Sequence, residues 1–448
     1  MVLRRRTLLQ GALAGAVLTG CSKPPVTPTV SPDNPFTVDG SAPVDVVVSE
    51  EYGGFAAAAY RKKYAGATIS PKLTTQLADD LLPRFATGTP PDVVLSTGDA
   101  KLELGRLVKD NQLTDLQQLL DAPSWDDQSA KVKDQLLPDV LEVGQFDGTQ
   151  RTLNYISTVY GIWYSASLFQ RNGWDVPRTW PELLALGVDM KAAGLGPFIY
   201  AGTHPYYLLE LVLTLAAKTG GPDVTKRIDN LEDGAWTDES ITRAITAVGE
   251  LTKRGLLAPG TAQYDHIGSQ KRFLASKAGM LPCGNWLENE MKGLVKDEFA
   301  LTVFAVPPLD SSPAMASGLH VAATAPFFVP EKAKNKAGGL EYLRTMLSKE
   351  AAGKFTELTG SPTIVKGATE GIKLSPGAAS SDALIKSGGT NNWTTYFASW
   401  YSPMDKPSRS IFAELAAARI TPDEFCNQMQ KLADDTAKDP NTKKQSRS

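Results

Sequence analysis

Beyond Pro43 the sequence continues for more than 400 residues without a second low-complexity linker. A body of this length can bury a large core and exceeds the usual size of a single domain, so we expect two lobes. Because no linker is available to join the lobes, the chain must cross between them inside continuous secondary structure. This requirement excludes a beads-on-a-string arrangement.

Short β-rich runs alternate with amphipathic stretches along the body, a pattern typical of α/β architecture. Buried strands are predicted over residues 44–48 and 92–95. A helix is predicted between them from four apolar residues at four-residue spacing, Leu73, Leu77, Leu81 and Phe85. Pro83 should kink or end this helix, because proline lacks the backbone donor.

Later segments carry stronger signals of the same kind. Thr179 is a suitable N-cap for a helix over residues 179–193. One helix after Pro330 is predicted from its apolar face, which carries Leu340, Leu343, Met346, Leu347 and Phe355. Strand-like runs lie at residues 159–164, 299–306 and 321–329.

Residues 1–20 have the layout of a signal peptide. Arginines occupy positions 4–6, an apolar run extends from Leu8 to Leu18, and small residues precede Cys21. The apolar run is too short to span ~30 Å of hydrocarbon as a stable helix. We therefore predict cleavage before Cys21 and attachment of lipid to its thiol, with the Sec and twin-arginine export routes both open.

Residues 21–43 contain six prolines among Ser, Thr and Asn. Such a composition buries too little apolar surface to fold, so this segment is predicted to be a semi-rigid spacer. The expected location is the extracellular face of the cell membrane. Several acyl chains, such as palmitate, are needed there because a single chain anchors only marginally.

Composition excludes several classes of function. Removal of the signal peptide moves the formal net charge from −3 to −6, because the leader carries three arginines and no acids. No cluster of Lys and Arg of the size that nucleic-acid binding requires is present. Cys283 and Cys426 are too few for a disulfide scaffold, and either one bridge or two free thiols is compatible with the sequence.

The common catalytic and metal-binding motifs are absent from the sequence. It lacks His-Glu-x-x-His, a phosphate-binding loop and a Gly-x-Ser-x-Gly elbow. The histidines at 204, 266 and 320 have no cysteine or second histidine at metal-ligand spacing, so no metal and no cofactor are expected. We expect no enzymatic activity.

One carboxylate pair leaves an enzymatic alternative open. Glycosidases need two acids about 5 to 9 Å apart, and Glu288 and Glu290 are candidates for that pair. Two residues apart on a helix they would point away from each other, whereas on a strand they would share a face. We favour one ligand contact and one solvated acid over a catalytic pair.

Aromatic residues next to short polar side chains are the chemistry of sugar recognition. Pyranose C-H patches stack on Trp and Tyr, while the hydroxyl groups need donors and acceptors. Four segments combine these features, at residues 49–54, 96–99, 204–207 and 284–289. The first two follow predicted strands, where ligands of open α/β sheets bind.

Several segments also carry a family resemblance, at residues 88–94, 113–120, 163–164, 179–183 and 328–343. In this order they resemble the family 1 extracellular solute-binding proteins of carbohydrate ABC importers. A second set is similar to the N-acetylglucosamine/diacetylchitobiose-binding lipoproteins of actinobacteria, at residues 144–148, 158–161, 200–207, 228–232, 265–267 and 286–290. The resemblance covers nearly all of the mature chain.

The resemblance implies a two-lobed clamshell of the periplasmic-binding-protein type (type II, like maltose-binding protein), with hinge crossings near residues 155–160 and 321–328. It places residues 44–155 plus 326–370 in lobe I and residues 156–325 plus 371–448 in lobe II. It also implies a monomer that delivers a small carbohydrate to the permease subunits of an ABC transporter.

The implied ligand is N-acetylglucosamine or N,N'-diacetylchitobiose, bound between the lobes. The ligand-binding residues expected from the matching motifs are Glu50, Tyr52, Thr97 and Asp99 in lobe I, and Tyr160, His204, Tyr206, Trp286, Glu288 and Asn289 in lobe II. Trp286 and Tyr206 would stack on sugar rings. Glu50 and Ser96 depart from the family pattern, which has aspartate and asparagine there, so a different disaccharide or a polyol stays open.

Overall fold

A computed structural model describes residues 29–50, 52, 54–69, 71–98 and 100–447, without the side chain of Thr390. The predicted signal peptide, the lipid site at Cys21 and the sugar contact at Asp99 lie outside the described residues and stay predictions.

The strands are β1 (Val46–Val48), β2 (Lys72–Leu73), β3 (Val93–Leu95), β4 (Gln145–Phe146), β5 (Thr149–Gln150), β6 (Leu153–Ser165), β7 (Gly196–Phe198), β8 (Ala278–Gly284), β9 (Leu301–Phe304) and β10 (Val321–Phe328). The helices before residue 230 are α1 (Phe55–Lys63), α2 (Leu77–Thr87), α3 (Leu104–Lys109), α4 (Gln117–Asp121), α5 (Ala166–Asn172), α6 (Trp180–Ala192), α7 (Tyr206–Gly220) and α8 (Asp223–Asp229).

The later helices are α9 (Glu239–Lys253), α10 (His266–Leu274), α11 (Leu287–Glu290), α12 (Lys336–Met346), α13 (Lys349–Thr359), α14 (Pro376–Gly388), α15 (Phe397–Trp400), α16 (Ser402–Ala416) and α17 (Pro422–Lys438). Short 3-10 helices occupy Val132–Gln135, Glu142–Gly144, Thr261–Gln263, Asp297–Phe299 and Gly389–Asn391.

A long strand connects the two halves of the molecule. The main sheet has the order β2-β1-β3-β10-β6-β8-β7, and β9 also pairs with β6. The first part of β6, up to Val159, pairs antiparallel with β10, and the part from Tyr160 onwards pairs with β8 and β9. The chain therefore crosses between the lobes inside a regular strand, as predicted from the absence of a linker in the sequence. Strand β10 pairs with β6 beside this crossing.

Each half has its own hydrophobic core. In lobe I, the buried strands β1 and β3 are covered by α1, α12 and α13 on one face and by α2 on the other. In lobe II, α6, α7, α9 and α17 pack around a second core near β7 and β8. Strands buried on both faces read as continuous apolar runs, which is why Val46 to Val48 was recognisable from sequence. The fold is a two-lobed α/β clamshell.

Several local predictions are confirmed. Strands occur at each predicted run, and Thr179 caps α6 by accepting a hydrogen bond from the backbone N-H of Glu182. The helix predicted around Leu73 is wrong at its start, because Leu73 pairs with Val48 in β2 and α2 begins at Leu77. Pro83 does not end α2, because Leu77, Leu81 and Phe85 anchor the helix in the core of lobe I.

The single helix predicted after Pro330 is two helices. Ser348 separates α12 from α13 and accepts a hydrogen bond from the backbone N-H of Ala351 at 3.1 Å. This contact caps α13, so the apolar pattern continues across a break in the backbone. Sequence periodicity did not reveal the break.

The predicted spacer is also shorter than residues 21–43. Val38 is only 2% exposed and belongs to the core of lobe I, and Asn34 holds a turn by hydrogen bonds with the backbone of Val38. Arg344 donates a hydrogen bond to the carbonyl of Pro32. A few apolar and turn-forming residues therefore suffice to fix the end of a proline-rich segment on the folded body.

Candidate functional site

The lobe I side of the candidate site is formed by the loops that follow β1 and β3. The Glu50 carboxylate accepts hydrogen bonds from the Tyr52 hydroxyl at 2.6 Å and the Thr97 hydroxyl at 2.5 Å. Ser49 Oγ lies 2.8 Å from Thr97 Oγ1 and accepts a hydrogen bond from the Thr97 backbone N-H. These loops meet because β1 and β3 are parallel neighbours. We call Ser49, Glu50, Tyr52 and Thr97 the polar wall.

The lobe II side is aromatic. The Trp286 ring meets the Tyr160 ring edge-on at a centroid distance of 5.6 Å and the Tyr207 ring at 6.0 Å. The ring centroids of Tyr206 and Tyr207 lie 4.6 Å apart, and those of His204 and Tyr206 lie 6.4 Å apart. Four predicted residues from three separate segments are thus brought together. We call Tyr160, His204, Tyr206, Tyr207 and Trp286 the aromatic wall.

The aromatic wall continues into a stack of rings at the hinge. Tyr160 on β6 stacks on His320, which stacks on Trp393, with centroid distances of 4.4 Å for both pairs. Glu210 Oε2 lies 3.2 Å from His320 Nδ1, but the pair is not aligned for a hydrogen bond. Trp393 Nε1 is buried and has no hydrogen-bond partner among the described residues. Three polar atoms at the hinge thus lack hydrogen bonds to the described residues.

A carboxylate that sequence analysis treated as a solvated acid faces the polar wall. Glu290 Oε2 accepts a hydrogen bond from Gln270 Nε2 at 2.5 Å, and His266 Nε2 lies 3.9 Å from Glu290 Oε1. Burial raises the pKa of Glu290, and the nearby Glu50 carboxylate adds to the rise. Burial raises the pKa of Tyr52 as well, with contributions from Glu50 and Glu290. The two lobes therefore approach each other at this point.

Glu288 and Asn289 lie on a different side of α11 from Glu290. They line a cavity of about 330 Å³ that is bounded by the end of α13 and the start of α14. A Cβ atom at Gly360 or Gly377 would lie within 2.8 Å of Glu288 Oε2, so the carboxylate is tightly enclosed. Burial raises the pKa of Glu288, and the nearby Ser375 side chain and Ala378 backbone N-H oppose that rise. The structure therefore does not bring Glu288 and Asn289 into the aromatic wall.

The arrangement of Glu288 and Glu290 bears on the enzymatic alternative. Both residues lie on α11, so this segment is a helix and not a strand. Glu288 contacts the start of α14, whereas Glu290 contacts Gln270 on α10. The carboxylates point apart as expected for positions i and i+2 of a helix.

Several neighbours of the predicted residues were not found by sequence analysis. Arg409 on α16 places its guanidinium 4.5 Å above the centre of the Tyr206 ring. Glu210 and Gln270 are the others near the site. All three lie on helices, outside the four segments with an aromatic-polar pattern, so tertiary packing alone brings them to the site.

Other chemistries have little support in the described part of the chain. No group of three or more His, Cys, Asp and Glu residues is placed there to hold a metal ion. Within the same residues no helix is long and apolar enough to cross a membrane. Cys283 and Cys426 are both buried and not bonded to each other, which decides the question that the sequence left open.

Relatives and solved structures agree with this architecture. The diacetylchitobiose binding protein NgcE of Streptomyces coelicolor is 32% identical over 420 residues, which cover 89% of each chain. The solved structure described as a chitin oligosaccharide binding protein aligns with a TM-score of 0.69 at 19% identity, over 88% of this chain and 98% of its own.

A structure from work on xylan utilization by Caldanaerobius polysaccharolyticus aligns with a TM-score of 0.72 at 16% identity, over 87% of this chain and 99% of its own. At these identities the structural matches establish the fold alone. The family model for bacterial extracellular solute-binding proteins matches residues 39–353. Together with the two cores, the crossing strand and the facing walls, this match shows that the chain belongs to the bacterial extracellular solute-binding protein family.

Proposed function

We propose that this protein is the substrate-binding lipoprotein of a carbohydrate ABC importer. It captures N-acetylglucosamine or N,N'-diacetylchitobiose between its lobes and delivers the sugar to a membrane permease. The observation that carries this proposal is the aromatic wall of lobe II together with the polar wall of lobe I, whose Glu50 and Tyr52 lie near Glu290 of lobe II. The sugar is suggested by the name of the Streptomyces coelicolor relative, to which nearly nine-tenths of the chain aligns.

The two walls suit the two surfaces of a pyranose. The exposed part of Trp286 offers a flat face for sugar C-H groups, and Tyr206 is also partly exposed. Glu50 and Thr97 offer an acceptor and a hydroxyl to sugar oxygens. An N-acetyl group adds one amide to be hydrogen-bonded, and leaving it unpaired costs ~1 to 3 kcal/mol. That cost gives the site a means to discriminate among sugars.

Closure of the lobes makes capture selective. A sugar that contacts both walls binds the closed form more tightly than the open form, so it shifts the population towards closure. The hinge is formed by β6, which carries Tyr160, and by β10, which begins directly after His320. Ligand contacts and hinge contacts thus share residues.

The proposal is one of binding without turnover. Glu288 and Glu290 contact different helices, which is unfavourable for two acids that must flank one glycosidic bond. The protein acts as an exported monomer, held at the outer face of the membrane by lipid on Cys21. Replacing Cys21 with Ala should release a soluble protein that still binds sugar.

A thermal-shift screen over mono- and disaccharides and polyols tests the proposal. A ligand at 100 times its Kd stabilises the folded state by about 2.7 kcal/mol. We expect N,N'-diacetylchitobiose or N-acetylglucosamine to raise the Tm and cellobiose to have little effect. A shift by a different disaccharide or by a polyol would retain the class and change the ligand, whereas no shift with any of them would contradict the proposal. Conversion of chitobiose to monosaccharide, lost in Glu288→Gln, would instead support a glycosidase.

A further inference from the structure

We propose that Asp405 is a positioning residue that holds Arg409 over the Tyr206 ring and ties this part of the aromatic wall to lobe I through Lys101. The inference rests on the proposed function and adds a mechanism by which the arrangement of the lobes sets the affinity for sugar. None of Lys101, Asp405 and Arg409 was singled out by sequence analysis.

The Asp405 carboxylate is shared between the two lobes. Its Oδ1 atom accepts hydrogen bonds from Arg409 Nε at 2.9 Å and lies 2.8 Å from Arg409 Nη2. Its Oδ2 atom lies 2.8 Å from Lys101 Nζ. Arg409 belongs to the same helix, α16 in lobe II, whereas Lys101 precedes Leu102, which is buried in the core of lobe I. Each oxygen therefore pairs with a cation from a different lobe.

Burial makes this ion pair stronger than an ordinary surface pair. The Asp405 side chain is 11% exposed, while the Lys101 side chain is 41% exposed. A mostly desolvated carboxylate that loses a cation is left undercompensated, and this loss costs more than breaking an exposed pair. Separation of Lys101 from α16 would impose that cost, so the pair favours the lobe arrangement seen here.

The pair of Asp405 with Arg409 reaches the aromatic wall. Both interactions of Arg409 with Asp405 involve the edge of the guanidinium, which leaves its flat face over Tyr206 at 4.5 Å. A planar cation held in this way stacks on an aromatic ring, a geometry that lysine cannot reproduce. Asp405 therefore acts on sugar through Arg409 and Tyr206 rather than by contact.

The lobe I end of the contact lies close to the polar wall in sequence. Lys101 follows the loop after β3 that carries Thr97, and Leu102 N-H donates a hydrogen bond to Ser96 Oγ at 2.9 Å. This bond fixes the loop between Thr97 and Lys101 at both ends. The same short segment thus presents a ligand hydroxyl and the lysine that reaches lobe II.

The test compares Lys101→Met, Asp405→Asn and their double variant with the wild type. Titration with N,N'-diacetylchitobiose should show Kd raised about 2- to 5-fold by Lys101→Met and roughly 10-fold by Asp405→Asn. The double variant should be no weaker than Asp405→Asn, because both substitutions break one network. Lys101→Arg should retain affinity.

Lys354→Met is the matched control, because Lys354 pairs with Glu357 at 3.0 Å within a single helix of lobe I. It should bind as the wild type does, whereas the ligand-free Lys101→Met and Asp405→Asn variants should have a lower Tm than this control, because each breaks an ion pair of a mostly buried carboxylate. Affinities are therefore compared well below the Tm of every variant. Wild-type affinity in both Lys101→Met and Asp405→Asn, tighter binding in either, or independent additive effects would overturn the inference.

A separate measurement tests the inference even if the proposed function is wrong. If the wild type binds none of the saccharides, small-angle scattering of the ligand-free proteins decides the inference by itself. A larger radius of gyration for Lys101→Met than for Lys354→Met would support the tie between lobes. Equal radii would refute it.

Discussion

The two walls of the cleft are built in different ways. The polar wall comes from two loops after neighbouring parallel strands, and its members hydrogen-bond one another before any ligand is present. The aromatic wall draws its rings from β6, the start of α7 and the turn before α11, segments far apart in the chain. Local topology suffices to form the first wall, whereas the second requires the whole of lobe II to pack.

This difference assigns a role to each wall. Hydrogen bonds to hydroxyl groups exchange with water and contribute modest net free energy, so the polar wall supplies direction and selectivity. Burial of aromatic surface contributes more, so the aromatic wall supplies most of the affinity. The following variants test that division, from the largest expected effect to the smallest.

The lobes are stabilised by separate buried ion pairs, so removing one partner should damage one lobe first. In lobe I, Glu341 pairs with Arg344 at 3.0 Å. In lobe II, Asp229 pairs with Arg447 at 2.6 Å and accepts two backbone hydrogen bonds after Thr395. Glu341→Ala and Asp229→Ala should each lower the free energy of unfolding by about 3 to 5 kcal/mol, because a buried charge loses its partner.

Denaturant titration with protease mapping of the two lobes measures this effect. Asp310→Ala is the control, since Asp310 pairs with Arg243 at the surface of lobe II and should change stability by less than about 1 kcal/mol. If both core variants exposed both lobes to protease equally, the lobes would unfold as one unit. That result would contradict the idea that each lobe is stabilised by its own ion pair.

Trp286→Ala should have the largest effect on binding of any substitution in the aromatic wall. Loss of a central aromatic residue typically costs about 2 kcal/mol or more of binding free energy, which corresponds to a Kd raised roughly 30-fold. Calorimetric titration with the ligand from the thermal-shift screen measures this change. Trp286→Phe keeps a smaller ring and should lose less, and an unchanged Kd in Trp286→Ala would remove the aromatic wall from the site.

Glu50→Gln tests the polar wall with almost no change in shape. The amide accepts fewer hydrogen bonds than the carboxylate, so Kd should rise by the equivalent of about 1 to 2 kcal/mol. The ranking of sugars by affinity should change more in Glu50→Gln than it does in Trp286→Phe. Glu331→Gln is a suitable control, because Glu331 pairs with Lys336 on the surface of lobe I. Loss of affinity without any change in ranking would argue against a selective role.

Glu290→Gln tests the burial of Glu290, next to the polar wall, through the pH dependence of stability. The folded-state pKa of Glu290 is raised above its ordinary value of 4.5, by burial first and by Glu50 in addition. The wild type therefore loses stability as pH rises from 4.5 through the raised pKa, because the folded state binds the extra proton. Glu290→Gln lacks this loss. Its free energy of unfolding should therefore rise relative to that of the wild type by up to about 1 kcal/mol between pH 4 and pH 7.

Thermal unfolding of both proteins across that pH range measures the gain. Glu370→Gln is the reference variant for an acid that is exposed at the surface of lobe I. If Glu290→Gln and the wild type had parallel stability curves, the Glu290 carboxylate would not be buried in the folded protein in solution.

The fold and the polar wall were accessible from sequence for the same reason. Buried runs such as Val46 to Val48 identify strands directly, and the rule that ligands bind at the carboxyl ends of strands then nominates Glu50 and Thr97. Trp286, Tyr160 and Tyr206 were nominated by residue type and by family resemblance. Their mutual contacts follow only from the packing of lobe II.

The remainder of the site depends on tertiary contacts that leave no local pattern. Arg409 reaches Tyr206 from a helix some two hundred residues later in the chain. Glu288 and Glu290 look alike in sequence, yet the rotation of α11 sends one into a side cavity and the other towards Glu50. A single capping contact by Ser348 likewise divides what periodicity predicted as one helix.

The most direct test of the account is calorimetric titration of the wild-type protein with N,N'-diacetylchitobiose, followed by analysis of the recovered sugar. We predict saturable binding of one sugar per chain, with the sugar recovered intact. Absence of any binding heat, together with no shift of the melting curve by any saccharide, or recovery of cleaved sugar, would contradict the claim that the facing walls capture a carbohydrate without transforming it.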